Sequence, residues 1–134
     1  MSRDLKLSTA LALTVAMDEL VKLMPTSDSD RLGKALHIAA DNAIRYNADL
    51  RLYFYQSPTF ATPYAININR TLTTGDLHDA SCACPDHEQR GAICKHILAA
   101  WLAGRVRDIL MAAAQLQTIA AIDTAARYVQ WALG

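Results

Sequence analysis

The 134-residue chain has little cysteine, no excess of either charge and no long apolar run. Its three cysteines are an odd number and lie close together, which is unsuited to a disulfide framework. Lys+Arg and Asp+Glu both total 13, so the chain lacks the basic excess typical of domains that bind phosphate backbone unaided. No run of 18 apolar residues occurs, which predicts that no helix spans a membrane. The length suits one globular domain.

The apolar N-terminal stretch raises the question of a signal peptide. Charged residues interrupt it at Lys6, Asp18, Glu19 and Lys22, and no convincing small-residue cleavage site follows its apolar centre. We therefore interpret it as an amphipathic helix, and expect a cytoplasmic protein, or one located in the nucleoid or nucleus.

The periodicity of apolar residues changes along the chain. Helical spacing predicts helices over residues 4–24 and from Ser27 or Ser29 to about 46–47. Strand-forming residues then predict a hairpin over 50–56 and 64–71, followed by a turn at 73–76 and a short third strand over 78–84. Helical spacing returns over 93–102 and 106–132, with Gly104 expected to end or bend the helix between them.

The cysteines belong to a pattern that is typical of a structural zinc site. Cys82-x-Cys84 is followed after nine residues by Cys94-x-His96, and three thiolates with one imidazole suit tetrahedral Zn²⁺. In a strand, residues two apart point to one face, so Cys82 and Cys84 are predicted to aim together. In a helix interior they diverge by about 200°. Cys94 is therefore expected just before a helix, with His96 in its first turn.

Other interpretations of the histidines and cysteines are less favoured. His78 and His87 are alternative ligands, although each fits a solvated loop histidine, and His37 fits a solvent-facing or rim position better than a site. The absence of C-x-x-C disfavours redox chemistry, and an iron–sulfur cluster normally needs four cysteines. A catalytic zinc needs an open coordination position, which four protein ligands would fill. We therefore expect the protein not to be an enzyme.

The pattern resembles the SWIM-type zinc finger, over roughly residues 63–103. The similarity includes the Cys-x-Cys-Pro segment at 82–85 and the Cys-Lys-His-Ile-Leu-Ala segment at 94–99. SWIM fingers occur in transposases, chromatin-remodelling ATPases, ubiquitin ligases and partners of recombinase paralogues. The resemblance therefore implies bound zinc and a role in DNA binding or protein interaction.

These observations predict an α+β fold, in which a small antiparallel sheet with a zinc knuckle is flanked by two N-terminal helices and a long C-terminal helix. We expect a single domain over 1–134, made of a helical part (1–49), a β-hairpin with the SWIM-type finger (50–104) and a C-terminal helix (105–134).

The predicted function is protein–protein interaction in a nucleic-acid pathway. The alternative is direct DNA binding through a basic patch, whose candidate residues are Arg90, Lys95, Arg105 and Arg107, with Arg51 and Arg70 as further candidates. Acidic residues are interleaved with this set, so a solvated surface also explains it. The C-terminal helix is a possible homo-oligomer contact, and Trp101, Tyr128 and Trp131 are large groups suited to a partner or to the core.

Overall fold

The computed structural model describes residues 3–24 and 29–133, with side chains over 9–24, 29–117 and at 127. In chain order the elements are α1 (Arg3–Leu23), α2 (Ser29–Ala40), β1 (Ile44–Asn47), β2 (Leu52–Tyr55), β3 (Tyr64–Asn67), α3 (Asn69–Thr74), a 3-10 turn (Leu77–Asp79), β4 (Ser81–Cys82), α4 (Pro85–Arg90) and α5 (Lys95–Leu133). This arrangement confirms the predicted α+β class.

The four strands form one antiparallel sheet in the order β1-β2-β3-β4. The predicted hairpin is confirmed: Tyr53 pairs with Ile66, and Tyr55 with Tyr64. The predicted alternation also holds, because Ile66 and Ile68 are buried while Asn67 is exposed. The third predicted strand is much shorter than expected, since a 3-10 turn occupies residues 77–79 before β4 pairs with β3.

The start of α5 is the centre of the molecule. Residues 97–100 are all 0% exposed, because α1 and α2 cover one side of the helix and the sheet covers the other. Leu20, Ile38 and Leu98 belong to the core on the helical side. Because the helix is buried on both sides here, its residues are apolar on all faces.

Two sequence-based predictions about elements are wrong, and one of the two alternatives at Gly104 is excluded. The second helix ends at Ala40 rather than near 46–47, because Asn42 adopts a left-handed φ of 57° and the chain then enters β1. The second strand of the hairpin ends at Asn67 rather than 71, because α3 begins at Asn69 and continues until Gly75 terminates it with a φ of 73°. Gly104 does not end the last helix, since α5 continues through it to Leu133.

Some predicted features lie partly outside the described residues. Ser27, one of the two candidate N-caps, is among them, as are the side chains of Tyr128 and Trp131. Trp101 is 6% exposed and packs in the core between α5, α1 and α2. Across the described ranges, no helix has the length and apolarity needed to cross a bilayer.

Candidate metal centre

The structure brings Cys82, Cys84, Cys94 and His96 together. Their candidate ligand atoms all lie within 4.8 Å of one another, and all four residues are buried. The Cys82 Sγ and His96 Nδ1 atoms are 3.8 Å apart. In a tetrahedral zinc site with Zn–S of about 2.3 Å and Zn–N of about 2.0–2.1 Å, ligand atoms are separated by roughly 3.5–3.8 Å. The cluster therefore fits a zinc ion with small side-chain adjustments.

The first cysteine pair is positioned by the sheet edge, as predicted. Cys82 ends β4, and the N–H of Ala83 still donates to the carbonyl of Ala65 at 3.1 Å, which extends the pairing by one residue. Ser81 and Ala83 are exposed, whereas Cys82 and Cys84 are buried. The alternation of an extended backbone thus points both thiols to the same side.

A short helix between the cysteine pairs was not predicted. Cys84 has an extended backbone and caps α4, which begins at Pro85. Gly91 ends α4 with a φ of 65°, and its N–H donates to the carbonyl of His87. The sequence does contain these signals, because Pro at the first helical position and Gly just after the last are typical helix boundaries.

The second pair has the predicted placement at the start of α5. Cys94 directly precedes the helix, and His96 is its second residue. The His96 ring packs beside two tyrosines, with centroids 4.5 Å from Tyr55 and 5.2 Å from Tyr64. The sequence analysis missed these two side chains, because their contact with His96 depends on how β2 and β3 pack against α5.

The electrostatics of the thiols favour a cation. The pKa of Cys94 is lowered to about 4, first because the Cys82 thiol donates a hydrogen bond to its sulfur. As the donor in that bond, Cys82 has a raised pKa, and burial raises the pKa of Cys84. Without a metal, the protein therefore favours the thiolate form at Cys94 only. A divalent cation would stabilise Cys82 and Cys84 as thiolates as well.

Backbone N–H groups at two helix starts support the thiolates. The N–H of Ile97 in α5 lowers the pKa of Cys94. The N–H of His87 in α4 acts on Cys84 in the same direction, although its geometry falls short of a capping hydrogen bond. Both donors lie in the first turn of a helix, where the peptide dipoles favour negative charge.

The alternative histidine ligands lie outside the cluster. His87 Nδ1 is 2.9 Å from the carbonyl oxygen of Ala92, and His78 Nδ1 is 3.0 Å from a carboxylate oxygen of Asp76. His37 is exposed and lies 3.5 Å from Asp41. Each of the three therefore has a local partner that accounts for its position.

The candidate nucleic-acid contacts already have neighbours within the chain. Arg105 donates twice to Glu19 of α1, at 2.8 and 3.1 Å. Arg107 lies 4.5 Å from the ring centroid of Tyr46 on β1, so successive arginines of α5 face different elements. Arg90 is 3.7 Å from Asp86, and Lys95 lines cavities beside the metal ligands.

The comparisons with known proteins agree with the cluster. Residues 68–103 match the family model of the SWIM zinc finger, and this range contains all four candidate ligands. Neither the curated proteins nor the solved structures gave a significant match to the chain. The matched segment does not extend to α1, α2 or the part of α5 after residue 103.

Proposed function

We propose that this chain, with its SWIM zinc finger at residues 68–103, is a zinc-stabilised module for protein–protein interaction in a nucleic-acid pathway. The supporting observation is the distal part of α5. Every residue from 111 to 117 is exposed, including Met111 at 55% and Leu116 at 67%. A helix that leaves its own core with apolar side chains exposed offers a surface that a partner can cover.

The metal in this proposal has a structural role, and the module is not an enzyme. Three cysteines and one histidine fill all four positions of a tetrahedral zinc ion. No open coordination position is left for a substrate or an activated water. All four residues are buried. We therefore assign the metal the role of stabilising the fold.

Zinc would fix the direction of α5. Its ligands would be Cys82 at the end of β4, Cys84 at the N-cap of α4, and Cys94 and His96 on either side of the first residue of α5. Binding of structural zinc contributes about 10–16 kcal/mol of apparent folding free energy in zinc-finger peptides. Loss of the metal should therefore release the start of α5 from the sheet and disturb the surface that the helix presents. The nucleic-acid pathway itself is proposed from the resemblance to other SWIM proteins.

A pull-down with matched variants tests this proposal. We expect partners to bind the intact zinc-loaded chain and a His87→Ala variant, and to be lost with Cys94→Ala. A chain truncated after residue 110, which removes the exposed Met111 and Leu116, should lose partners that use the distal helix while keeping its zinc. Partners that bind equally to Cys94→Ala, or protein that contains no zinc although it was never exposed to a chelator, would contradict the proposal.

The same truncation tests association between copies through α5. Sedimentation of the intact chain and the truncated chain is the measurement. A dimer that depends on residues after 110 would identify a second copy as the occupant of the helix, whereas monomers in both cases would leave a different protein as the partner.

A second candidate is direct binding of single-stranded nucleic acid, favoured by an aromatic row beside the finger. Phe60 and Tyr64 have ring centroids 5.8 Å apart, Tyr64 and Tyr55 are 6.3 Å apart, and both pairs are stacked. Phe60 is 54% exposed, and Lys95 lines the cavity next to Tyr55 and Tyr64. Stacking of bases on aromatic rings with nearby cations is a common mode of single-strand binding.

Band-shift titrations at low and moderate salt test this second candidate. Phosphate contacts make binding strongly salt-dependent. We expect Phe60→Ala to weaken binding and Leu50→Ala, which removes a similarly exposed apolar group, to leave it unchanged. The absence of any shift at low salt would eliminate direct binding.

A further inference from the structure

The outer edge of β1 borders an apolar cavity that neither the metal centre nor the distal helix uses. The cavity has a volume of about 370 Å³, within the range of ligand pockets. Its walls come from α1, the end of α2, β1, β2 and α5, and its apolar lining includes Leu13, Ile44, Tyr46 and Val106. It is therefore a groove between a strand and a helical layer.

The strand beside this cavity has an unpaired edge. β1 is the first strand in the sheet order, and within the described part of the chain it pairs only with β2. Alternate residues of such a strand direct their N–H and C=O groups away from the sheet, where they can pair with another extended segment. Ile44 and Tyr46 lie on one face of β1 and line the cavity, so a segment added to this edge would run along it.

The groove carries positive charge. Arg107 lies over the Tyr46 ring at the cavity wall, and Arg45 is exposed on the edge strand, on the face opposite to Ile44 and Tyr46. Among the described carboxylates, none lies within 4.0 Å of either guanidinium. Both cations are thus available to a ligand that brings negative charge.

We propose that this groove binds an extended, acidic segment of a partner protein. The segment adds a strand to β1, places one apolar side chain in the cavity and brings a carboxylate to Arg107. In this mode main-chain hydrogen bonds supply affinity and the pocket supplies specificity. The inference rests on the proposed interaction role and identifies the chemistry of a partner for it.

A second copy of this chain fits the edge less well. Antiparallel pairing of two β1 strands in a register that places both Arg45 side chains on one face would bring like charges together across the strand pair, which is destabilising. An acidic segment converts the same arginine into an attractive contact. The charge therefore selects a different protein as the occupant.

The test uses a phage-displayed library of random dodecapeptides, selected on the zinc-loaded full chain. Because residues two apart share a face of a strand, we expect enriched peptides to carry an apolar residue with an aspartate or glutamate two positions away. Synthetic copies should slow hydrogen exchange at β1 amides. Methylation of a backbone nitrogen in the peptide removes its N–H donor. Methylation should abolish binding at the alternate positions whose N–H groups face β1, and be tolerated at the positions whose N–H groups face away.

Matched variants locate the binding site. Arg107→Glu should weaken the selected peptides at least about tenfold, as expected for a central interface arginine. Arg70→Glu, a control on the exposed surface of α3, should change affinity by less than about twofold. Ala40→Leu, which adds bulk at an exposed position of the cavity wall, should weaken binding without lowering the zinc content.

Three outcomes would overturn the inference: enriched peptides without acidic residues, affinities that are unchanged by both Arg107→Glu and Ala40→Leu, or exchange protection confined to another surface. These outcomes are distinguishable from failure of the proposed function. If natural partners lose binding to Cys94→Ala but bind Arg107→Glu normally, the interaction role stands and the groove is not the binding site.

Discussion

Gly104 lies in the middle of α5 at a point where the sheet approaches the helix backbone very closely. A Cβ atom at this position would be 2.7 Å from the phenol oxygen of Tyr53 and 3.5 Å from its Cζ atom. Tyr53 is 6% exposed and belongs to the core between β2 and α5. The phenol therefore occupies the space that a larger side chain at residue 104 would need. This contact predicts both the direction and the size of the change in unfolding free energy when Gly104 is replaced.

In an ordinary helix interior, replacing glycine by alanine stabilises the helix by about 1 kcal/mol. At residue 104 the added methyl group meets a stiff, buried side chain, and overpacking of this kind costs about 1–3 kcal/mol. We expect Gly104→Ala to lower the free energy of unfolding by up to about 2 kcal/mol. In a Tyr53→Phe background the oxygen is absent and the nearest remaining atom is at ordinary contact distance, so the same substitution should raise stability by about 1 kcal/mol.

Urea unfolding of the zinc-loaded chain, its two single variants and the double variant measures this coupling. Zinc content is determined for each protein, so that a difference in metal loading is not mistaken for a packing effect. We expect an interaction energy of about 1–3 kcal/mol from the double-mutant cycle. Equal stabilisation by Gly104→Ala in both backgrounds would show that the phenol does not constrain this position.

Further predictions concern the metal, one ion pair and the core. Cys84→Ala should reduce bound zinc well below one ion per chain, whereas His87→Ala should retain it; metal analysis after dialysis distinguishes them. Glu19 has a pKa below its ordinary value of 4.5 because of its arginine partner, so Glu19→Gln should cost at most about 1 kcal/mol at pH 7 for this half-exposed pair. That cost should disappear as the pH falls well below 4.5, when the carboxylate is protonated in both states; a cost that persists in acid would contradict the assignment. Leu20→Ala, at a fully buried position, should cost about 2–5 kcal/mol and Leu11→Ala almost nothing; similar losses of thermal stability for both would refute the described packing of α1.

The ligand geometry of the metal centre followed from local rules. The direction of Cys82 and Cys84 depends only on strand alternation, and the placement of Cys94 and His96 only on the angular step of a helix. Such relations act within a few residues, so the spacing alone specifies them. The same is true of the central hairpin, where alternating residues identified the buried face that contains Ile66.

The misassigned elements depended on contacts that local patterns do not contain. Residues 44–47 are a strand because β1 completes the sheet beside β2, although a preceding helix could have continued by propensity. Gly104 was expected to end or bend the helix, yet α5 continues to Leu133, and the close approach of Tyr53 explains why a glycine stands there. In both cases tertiary packing overrode an intrinsic preference.

The sequence by itself predicted the cluster of Cys82, Cys84, Cys94 and His96, the α+β class and the match to the SWIM zinc finger, because each is encoded in the type and spacing of nearby residues. Only the tertiary structure decided which charges are already paired, as Arg105 is with Glu19, and which remain available. It alone placed the tyrosines beside His96 and opened the groove along β1. These features join residues that are distant in the chain, and their proximity is set by how the helices pack on the sheet.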